Sequence, residues 1–302
     1  MVTVEKYCVG EREYYRLVHT IRRGGRTTHR TKYIGKVLPP EEILEQLKKE
    51  FLLEIIGQRY RYLSFDDVEG IERKKAEYRL AMEKMSLLER KEILDEFVVR
   101  FTYDSSKLSG VNVTLRQTSL ILRDGIMPKS IKRLETVRVL ENHRKGIMVI
   151  TEYRGVLNLS FMKKLHRILM SGVWDEIAGR TRDELERDVK VAGTPYVPPK
   201  WQDVLREMDS FFKWYKDDNR KLHTLELASL VHLKIISIQP FRDGNSRLAR
   251  LLMNWILWKR GYPMVDIPVE DLENYYDALD KYQIEKKDGQ FVNYVKKRYL
   301  MG

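Results

Sequence analysis

The chain has 302 residues, of which 56 are basic and 44 acidic, giving a net charge of +12. A sequence pI near 9.5 favours anionic partners such as nucleotides, acidic protein surfaces or nucleic acids. The single cysteine, Cys8, excludes an internal disulfide, and no apolar run is long enough for a membrane span. Because no secretory signal is visible, we expect a cytoplasmic protein, and the bias towards Lys, Glu and Arg is typical of thermophiles.

The first 37 residues have the composition of strands. Three runs, 2–9, 12–22 and 27–35, are rich in Val, Tyr, Thr and Ile. Gly10 separates the first two, and the pair at 24–25 is a Gly-Gly hairpin signal. We therefore predict a three-stranded antiparallel β-meander over residues 1–37.

From Glu41 onward the spacing of apolar residues is helical. The run 41–60 has acids in its first turn, and the charged stretch 66–90 predicts a long exposed helix, so 38–90 is interpreted as a helical linker or arm. One mainly helical domain is predicted over 91–302. Helical patterns in it cover 92–107, 115–123, 131–153, 160–171, 201–216, 224–238, 247–260 and 272–284.

The stretch 235–250, IISIQPFRDGNSRLAR, places a glycine-centred loop between two apolar helices. Gly244, Asn245 and Ser246 have small side chains and stand where the second helix begins. The first N–H groups of a helix lack intrahelical partners and lie at its positive dipole end. This segment is therefore a candidate anion site.

Three charged residues strengthen that interpretation. Arg247 and Arg250 are three positions apart, so they share a helix face and can hold the same phosphate. Asp243 adds a carboxylate, which suits a hard cation such as Mg²⁺ bridging phosphates. Together they predict a polyphosphate site.

The same stretch resembles the signature of the Fic (fido) family. Two positions depart from the family pattern: Gln239 stands where the family has its catalytic histidine, and Ser246 replaces a glycine. The resemblance implies a Fic-type helical core with a small flap hairpin, ATP and Mg²⁺ as ligands, and transfer of AMP to a hydroxyl of a protein target. The matching residues are Pro240, Phe241, Asp243, Gly244, Asn245, Arg247 and Arg250.

The resemblance also implies individual roles. Asp243 would position the metal, and Asn245 with the Ser246 amide would contact phosphates. Adenine would lie near an aromatic pair and an amide at 275–283, although adjacent tyrosines fit ordinary packing equally well. The implied nucleotide-binding residues are Phe241, Gly244, Asn245, Ser246, Arg247, Arg250, Tyr276 and Gln283.

Gln239 stands at the position of the general base, so it affects the expected rate of transfer. A general base must titrate near the working pH, and an amide does not. His232 lies seven positions earlier, roughly 10 Å along the helix axis, so we interpret it as a core histidine rather than a substitute. Loss of a general base typically costs about 10²–10⁴ in rate, which predicts nucleotide binding with weak or absent transfer.

Residues 193–199, GTPYVPP, resemble the Fic flap and are called the flap segment below. A flap receives its target by strand addition, here along Thr194, Pro195, Tyr196 and Val197. The alternative is a plain loop between two helices. Arg180 and Arg182, which precede it, also resemble the family.

The stretch 102–115 resembles the inhibitory helix of Fic proteins. Ser105 and Gly110 match, but Ser109 holds the place of the inhibitory glutamate. Because a serine hydroxyl is short and uncharged, we expect Arg250 to be free for phosphate. The alternative is an ordinary Ser-Gly helix end.

Two further interpretations remain open. A nucleic-acid-binding or regulatory protein could use a catalytically dead Fic core as scaffold, with DNA contacted by the basic meander. An active enzyme could instead use substrate or water in place of the base. The sequence does not reveal the protein target or whether the chain forms a homo-oligomer. The basic residues near Tyr33 are Arg22, Arg23, Arg26, His29, Arg30, Lys32 and Lys36.

Overall fold

The computed structural model describes residues 2–10, 12–23, 26–56 and 60–301. The chain divides into two compact units, Met1–Arg59 and Tyr60–Gly302. The first contains a small antiparallel sheet and one helix, and the second is helical. The predicted fold class, mainly α with an N-terminal β-meander, is confirmed.

The first unit is built on a sheet with the strand order of the sequence. Its strands are β1 Val2–Val9, β2 Arg12–Arg23 and β3 Arg26–Gly35. Gly10 turns the chain between β1 and β2 with φ 64°, whereas the predicted turn at 24–25 lies outside the described residues. Helix α1, Glu41–Ile56, packs on β1 and β2. Leu17 and Phe51 are buried in this unit.

The second unit holds the remaining helices. Two of them, α9 (Thr224–Ile238) and α10 (Asn245–Lys259), pack against each other. Helices α5 (Leu134–Glu152) and α6 (Leu159–Met170) contact α10, and α12 (Asp288–Met301) contacts α9. In the described part of the chain, no helix is both long and apolar enough to cross a membrane. The helices are α2 Phe65–Lys84, α3 Leu87–Lys107, α4 Leu115–Leu122, α5 Leu134–Glu152, α6 Leu159–Met170, α7 Arg182–Leu185, α8 Val204–Asp218, α9 Thr224–Ile238, α10 Asn245–Lys259, α11 Leu272–Gln283 and α12 Asp288–Met301.

The helix predicted over 66–90 is in fact interrupted. Helix α2 ends at Lys84 and α3 begins at Leu87, because Ser86 caps the second helix. The Glu89 N–H donates to Ser86 Oγ at 3.3 Å, and the Ser86 N–H donates to the Glu89 carboxylate at 2.7 Å. This reciprocal capping box satisfies two N–H groups and starts a new helix.

The sequence pattern did not predict two of the helices, α7 and α12. The single turn of α7 is too short for a periodic signal, and α12 has its apolar residues interleaved with lysines and a glycine. Helix α12 nevertheless buries Phe291 and Val292, and it packs on α9. Helix α12 is therefore stabilised by burial against the core, and its local sequence pattern does not predict it.

Candidate functional site

The turn between α9 and α10 is the predicted anion site. Gln239 follows α9 in the left-handed conformation, with φ 50° and ψ 60°. Gly244 precedes α10 with φ 75°, and a Cβ there would lie 2.3 Å from Met170 Cε. The left-handed region costs a residue with a side chain about 1–2 kcal/mol. The turn therefore requires glycine at 244 and holds Gln239 under strain.

Asn245 closes this turn from inside. The Phe241 N–H donates to Asn245 Oδ1 at 3.0 Å, and Asn245 Nδ2 donates to the Phe241 carbonyl at 2.7 Å. The side chain is 3% exposed. Its amide is therefore engaged with the loop backbone, whereas the resemblance had assigned it to phosphates.

His166 on α6 packs against the turn and bonds to it. The sequence pattern did not indicate this residue. Its ring stacks on Phe241 with centroids 3.9 Å apart. The Gly179 N–H donates to Nδ1 at 2.9 Å, and Nε2 lies 3.0 Å from the Asp243 carbonyl. A carbonyl only accepts and an amide N–H only donates, so the ring is neutral with its proton on Nε2. Burial lowers the pKa of His166 from 6.5 to about 4, which agrees with this state.

Arg182 connects the turn to the flap segment. Its side chain is fully buried, and Nε donates to the Gln239 carbonyl at 2.6 Å. Nη2 donates to the carbonyls of Pro199 and Ile238 at 2.8 and 3.1 Å. One guanidinium thus holds the end of α9, the turn and the end of the flap segment together. The sequence showed Arg182 only as part of a resemblance, without this role.

Arg250 is also fully engaged by the protein. Its Nε donates to Ser105 Oγ at 2.8 Å, and Nη2 donates to the Ser105 carbonyl at 2.7 Å. Nη2 also reaches Ser109 Oγ at 2.9 Å, and Nη1 lies 3.5 Å from the Tyr275 hydroxyl. The expectation that Arg250 is free was wrong, since three hydroxyls and a carbonyl occupy it without any carboxylate.

Arg247, one turn earlier on α10, differs from Arg250. It is 5% exposed, and its Nε and Nη1 have no hydrogen-bond partner among the described residues. Its only ion pair in the described chain is a long one, 3.6 Å from Nη2 to Asp243 Oδ2. Burial lowers the pKa of Arg247, while Asp243 opposes that shift. A buried cation with unused donors is costly unless a ligand completes it.

Ser109 links the end of α3 to the start of α10. Its hydroxyl donates to the Ser105 carbonyl at 2.9 Å and lies 3.3 Å from Ser246 Oγ. The predicted inhibitory-helix position therefore does lie beside the candidate anion site. Gly110 follows with φ 82°, and no atom lies within 4 Å of the position that a Cβ would take there.

The N–H groups at the start of α10 are available. The first main-chain bond of the helix runs from the Leu248 N–H to the Gly244 carbonyl, so the amides of Asn245 to Arg247 precede the ladder. No side chain of the described residues caps this end.

The Asp243 carboxylate is 58% exposed at the same place. In the described chain no three His, Cys, Asp or Glu residues cluster for a metal, so Asp243 would need ligand oxygens to complete a cation site.

The two adjacent tyrosines on α11, Tyr275 and Tyr276, differ in burial: the first lies in the core and the second at the surface. Tyr275 is fully buried, and its hydroxyl lies 3.1 Å from Nε2 of His232. Burial lowers the pKa of His232 well below its usual value, as a core histidine requires. Tyr276 is 44% exposed and donates to the Leu108 carbonyl at 3.1 Å, which places it beside Ser109. Gln283 is buried at the end of the same helix.

The flap segment is irregular, so the small hairpin expected there is not formed as paired strands. Three of its residues are prolines, which lack the N–H that a ladder needs. Thr194 Oγ1 donates to Asp280 at 2.8 Å, and the Tyr196 hydroxyl donates to the Ser237 carbonyl at 2.8 Å. Val197, which follows these two anchors, is 78% exposed.

Two basic residues of the meander make contacts within the first unit. Lys32 Nζ pairs with Glu54 at 2.5 Å, and His29 Nδ1 lies 3.1 Å from Thr20 Oγ1. These contacts use part of the charge within the first unit. The side chains of three members lie outside the described ones: Arg22, Arg23 and Arg26.

Comparisons with known proteins cover the region that contains this turn. Residues 156–257 match the family model of the Fic/DOC family. The protein adenylyltransferase Fic of Nematostella vectensis is 31% identical over 198 residues, covering 64% of this chain and 45% of that protein. Its counterpart in Drosophila erecta is 33% identical over 180 residues, covering 59% and 35%. The chain therefore spans less than half the length of these curated relatives.

Solved structures show the same fold. A Fic domain containing signaling protein from Bacteroides thetaiotaomicron superimposes with a TM-score of 0.67 at 28% identity, covering 78% of this chain and 94% of that one. A Fic family protein from Desulfovibrio desulfuricans gives a TM-score of 0.68 at 22% identity, covering 80% and 74%. Together with the α9–α10 turn and its arginines, these matches show that residues 156–257 are similar to the Fic/DOC family and that the helical unit has the fold of Fic-domain proteins.

Proposed function

We propose that this chain binds ATP with Mg²⁺ at the α9–α10 turn, as a relative of protein adenylyltransferases that is impaired in AMP transfer. The names of the curated relatives support the activity class. The observation that carries the proposal is Arg247, a buried guanidinium whose Nε and Nη1 have no partner among the described residues.

The residues present fit a triphosphate and a metal. Arg247 offers unused donors, and the uncapped start of α10 adds N–H groups at a positive dipole end. The exposed carboxylate of Asp243 suits a hard cation that is also held by phosphate oxygens. When bound, Mg²⁺ supplies positive charge against the triphosphate. Arg182 and His166 keep the turn rigid, so these donors are oriented before the ligand arrives.

The impairment follows from Gln239. Its Nε2 donates to the Ile236 carbonyl at 2.8 Å, which leaves only an amide oxygen. An amide oxygen is not basic enough to remove a proton from an acceptor hydroxyl near neutral pH. The described chain has four buried histidines, 143, 166, 223 and 232, and each has at least one ring nitrogen engaged. Burial lowers the pKa of His143, His166 and His232, which makes those rings weaker bases.

The target would be a protein segment lying along the flap segment. Val197 is exposed directly after two anchored residues, Thr194 and Tyr196, so that part of the segment is accessible. Strand addition needs such an accessible backbone. DNA contact through the meander stays a prediction.

Isothermal titration with ATP and MgCl₂ tests the proposal. We expect saturable binding to the native chain and a large loss of affinity in Arg247→Met. Ser109→Ala is a suitable control, because it removes a hydroxyl beside the turn without removing a cation. Failure of the native chain to bind ATP, GTP or ADP in the presence of Mg²⁺ would refute it.

A further inference from the structure

A cavity of about 200 Å³ lies beside the flap segment, outside the turn described above. It is lined by residues of the flap segment, α8, α9 and the end of α11. Tyr196, Phe211 and Tyr282 form its aromatic part. Tyr196 is held in place because its hydroxyl donates to the Ser237 carbonyl at 2.8 Å.

Two ammonium groups line this flap-side cavity. Lys234 lies on α9 and Lys286 follows α11. Lys234 makes no ion pair among the described residues; its Nζ lies 4.6 Å from the ring centroid of Trp214. Burial lowers the pKa of Lys234, while the carboxylates of Asp288, Asp218 and Glu207 oppose that shift from a distance.

One polar group in the cavity has no partner. The Ser237 hydroxyl is buried without a hydrogen bond among the described residues, in a side chain that is 8% exposed. Buried hydroxyls are normally satisfied, so an unpartnered one that lines a cavity indicates a missing ligand or water. The lining also contains one carboxylate, Glu207, which lies 3.5 Å from the Arg206 guanidinium. The cavity therefore has a net positive charge with a free hydroxyl donor.

We propose that the flap-side cavity binds the carboxylate of an aspartate or glutamate on the protein segment that lies along the flap segment. The preferred targets would then carry an acidic residue a short distance from the modified hydroxyl. A carboxylate matches two ammoniums and a hydroxyl donor, and its small volume suits the cavity. This inference rests on the proposed function, because it takes the flap segment to be the site of the target.

Binding of a peptide library, measured without nucleotide, tests this inference. Short fluorescein-labelled peptides carry a central threonine in an alanine and glycine background, with aspartate placed in turn at every other position. A matched library carries asparagine instead. Fluorescence anisotropy should show that aspartate tightens binding about tenfold over asparagine at one or two neighbouring positions.

Variants then assign that preference to the cavity. Lys234→Met should abolish it, and Lys286→Gln should reduce it. Lys213→Met removes an equal charge from the exposed face of α8 and should leave the preference unchanged. If Lys234→Met does not fold, Lys286→Gln and Lys213→Met still decide between the cavity and general electrostatics.

Three results would overturn the inference: no position that favours aspartate in the native chain, a preference unchanged in both cavity variants, or equal loss in Lys213→Met. Its failure differs from that of the proposed function. An intact aspartate preference without ATP binding would refute the nucleotide site alone, whereas ATP binding without the preference would refute only the cavity.

Discussion

The Ser109 hydroxyl accepts a hydrogen bond of 2.9 Å from Nη2 of Arg250. This bond completes a set in which Arg250 is bound by the hydroxyl and carbonyl of Ser105 on α3 and by Ser109, which follows α3. Arg247, one turn away on the same helix, has no such set. Two arginines that look equivalent in the sequence are therefore divided into a structural one and one with donors left for a ligand.

Methionine substitutions should separate these two roles. In Arg247→Met we expect ATP affinity to fall by about a hundredfold, because two charged hydrogen bonds are lost. Stability without ligand should be unchanged or higher by about 1 kcal/mol, because an unpartnered buried cation is removed. Titration calorimetry and urea unfolding measure the two quantities.

The matched variant Arg250→Met should behave in the opposite way. It leaves the Ser105 carbonyl and two hydroxyls without their donor, so unfolding free energy should fall by about 3 kcal/mol. Equal stability losses in the two variants would contradict the division of roles.

Restoring a base at position 239 should restore transfer. Gln239→His places an imidazole that titrates near neutral pH at the end of α9, and histidine tolerates the left-handed conformation found there. We expect self-modification with labelled ATP to rise by about a hundredfold or more over the native chain. Gln239→Asn is the control, because it keeps an amide and the backbone conformation. Absence of label in Gln239→His would show that a further departure, such as Ser246, disables the site.

Two glycines allow the packing at the turn to be measured. Gly244 and Gly110 have similar φ angles, 75° and 82°, but only Gly244 has a close neighbour for a Cβ, Met170 Cε at 2.3 Å. Alanine at 110 should cost about 1 kcal/mol through strain alone. Alanine at 244 should cost about 1–3 kcal/mol more, since Met170 must move within a packed core. Equal costs in chemical denaturation would mean that Met170 adapts freely.

Protonation of His166 at acid pH should lower the free energy of unfolding. Its pKa is lowered by burial from 6.5 to about 4, so the neutral ring stabilises the fold fully above pH 6.5. That contribution, about 3 kcal/mol, is lost as the pH falls through about 4, because the unfolded state binds the proton first. His166→Gln cannot titrate, so the stability difference between the two proteins should shrink over this range. The other buried histidines are present in both proteins and cancel in the comparison. A constant difference from pH 7 to about 4 would contradict the assignment.

The turn itself was predictable because its signals are local. Gly244 is required by a left-handed angle, and the apolar runs on either side predict buried helices. Arg247 and Arg250 were placed correctly on one helix for the same reason. The break at Ser86 was missed although its capping box is local too, because the charged periodicity continues across it.

The side chains that hold the turn in place, His166 and Arg182, were not predictable in the same way. His166 precedes Asp243 by 77 positions and Arg182 precedes Gln239 by 57, yet both bond directly to the turn. On α6, His166 sits within an apolar face whose pattern indicates burial and nothing about a partner. Only the packing of α6 and α7 against the turn brings these groups within bonding distance.

The residues of this chain by themselves indicated most of the helices and the glycine turn that we propose as an anion site, since helix periodicity, glycine and N-terminal amides act over a few positions. Tertiary structure decided which of the two arginines keeps free donors. That choice depends on whether the end of α3, some 140 residues earlier, lies against Arg250 or Arg247, with separations of 145 and 141 positions for Ser105 and Ser109. Spacing along one helix cannot show it, because both arginines share a face and differ only in what packs against them.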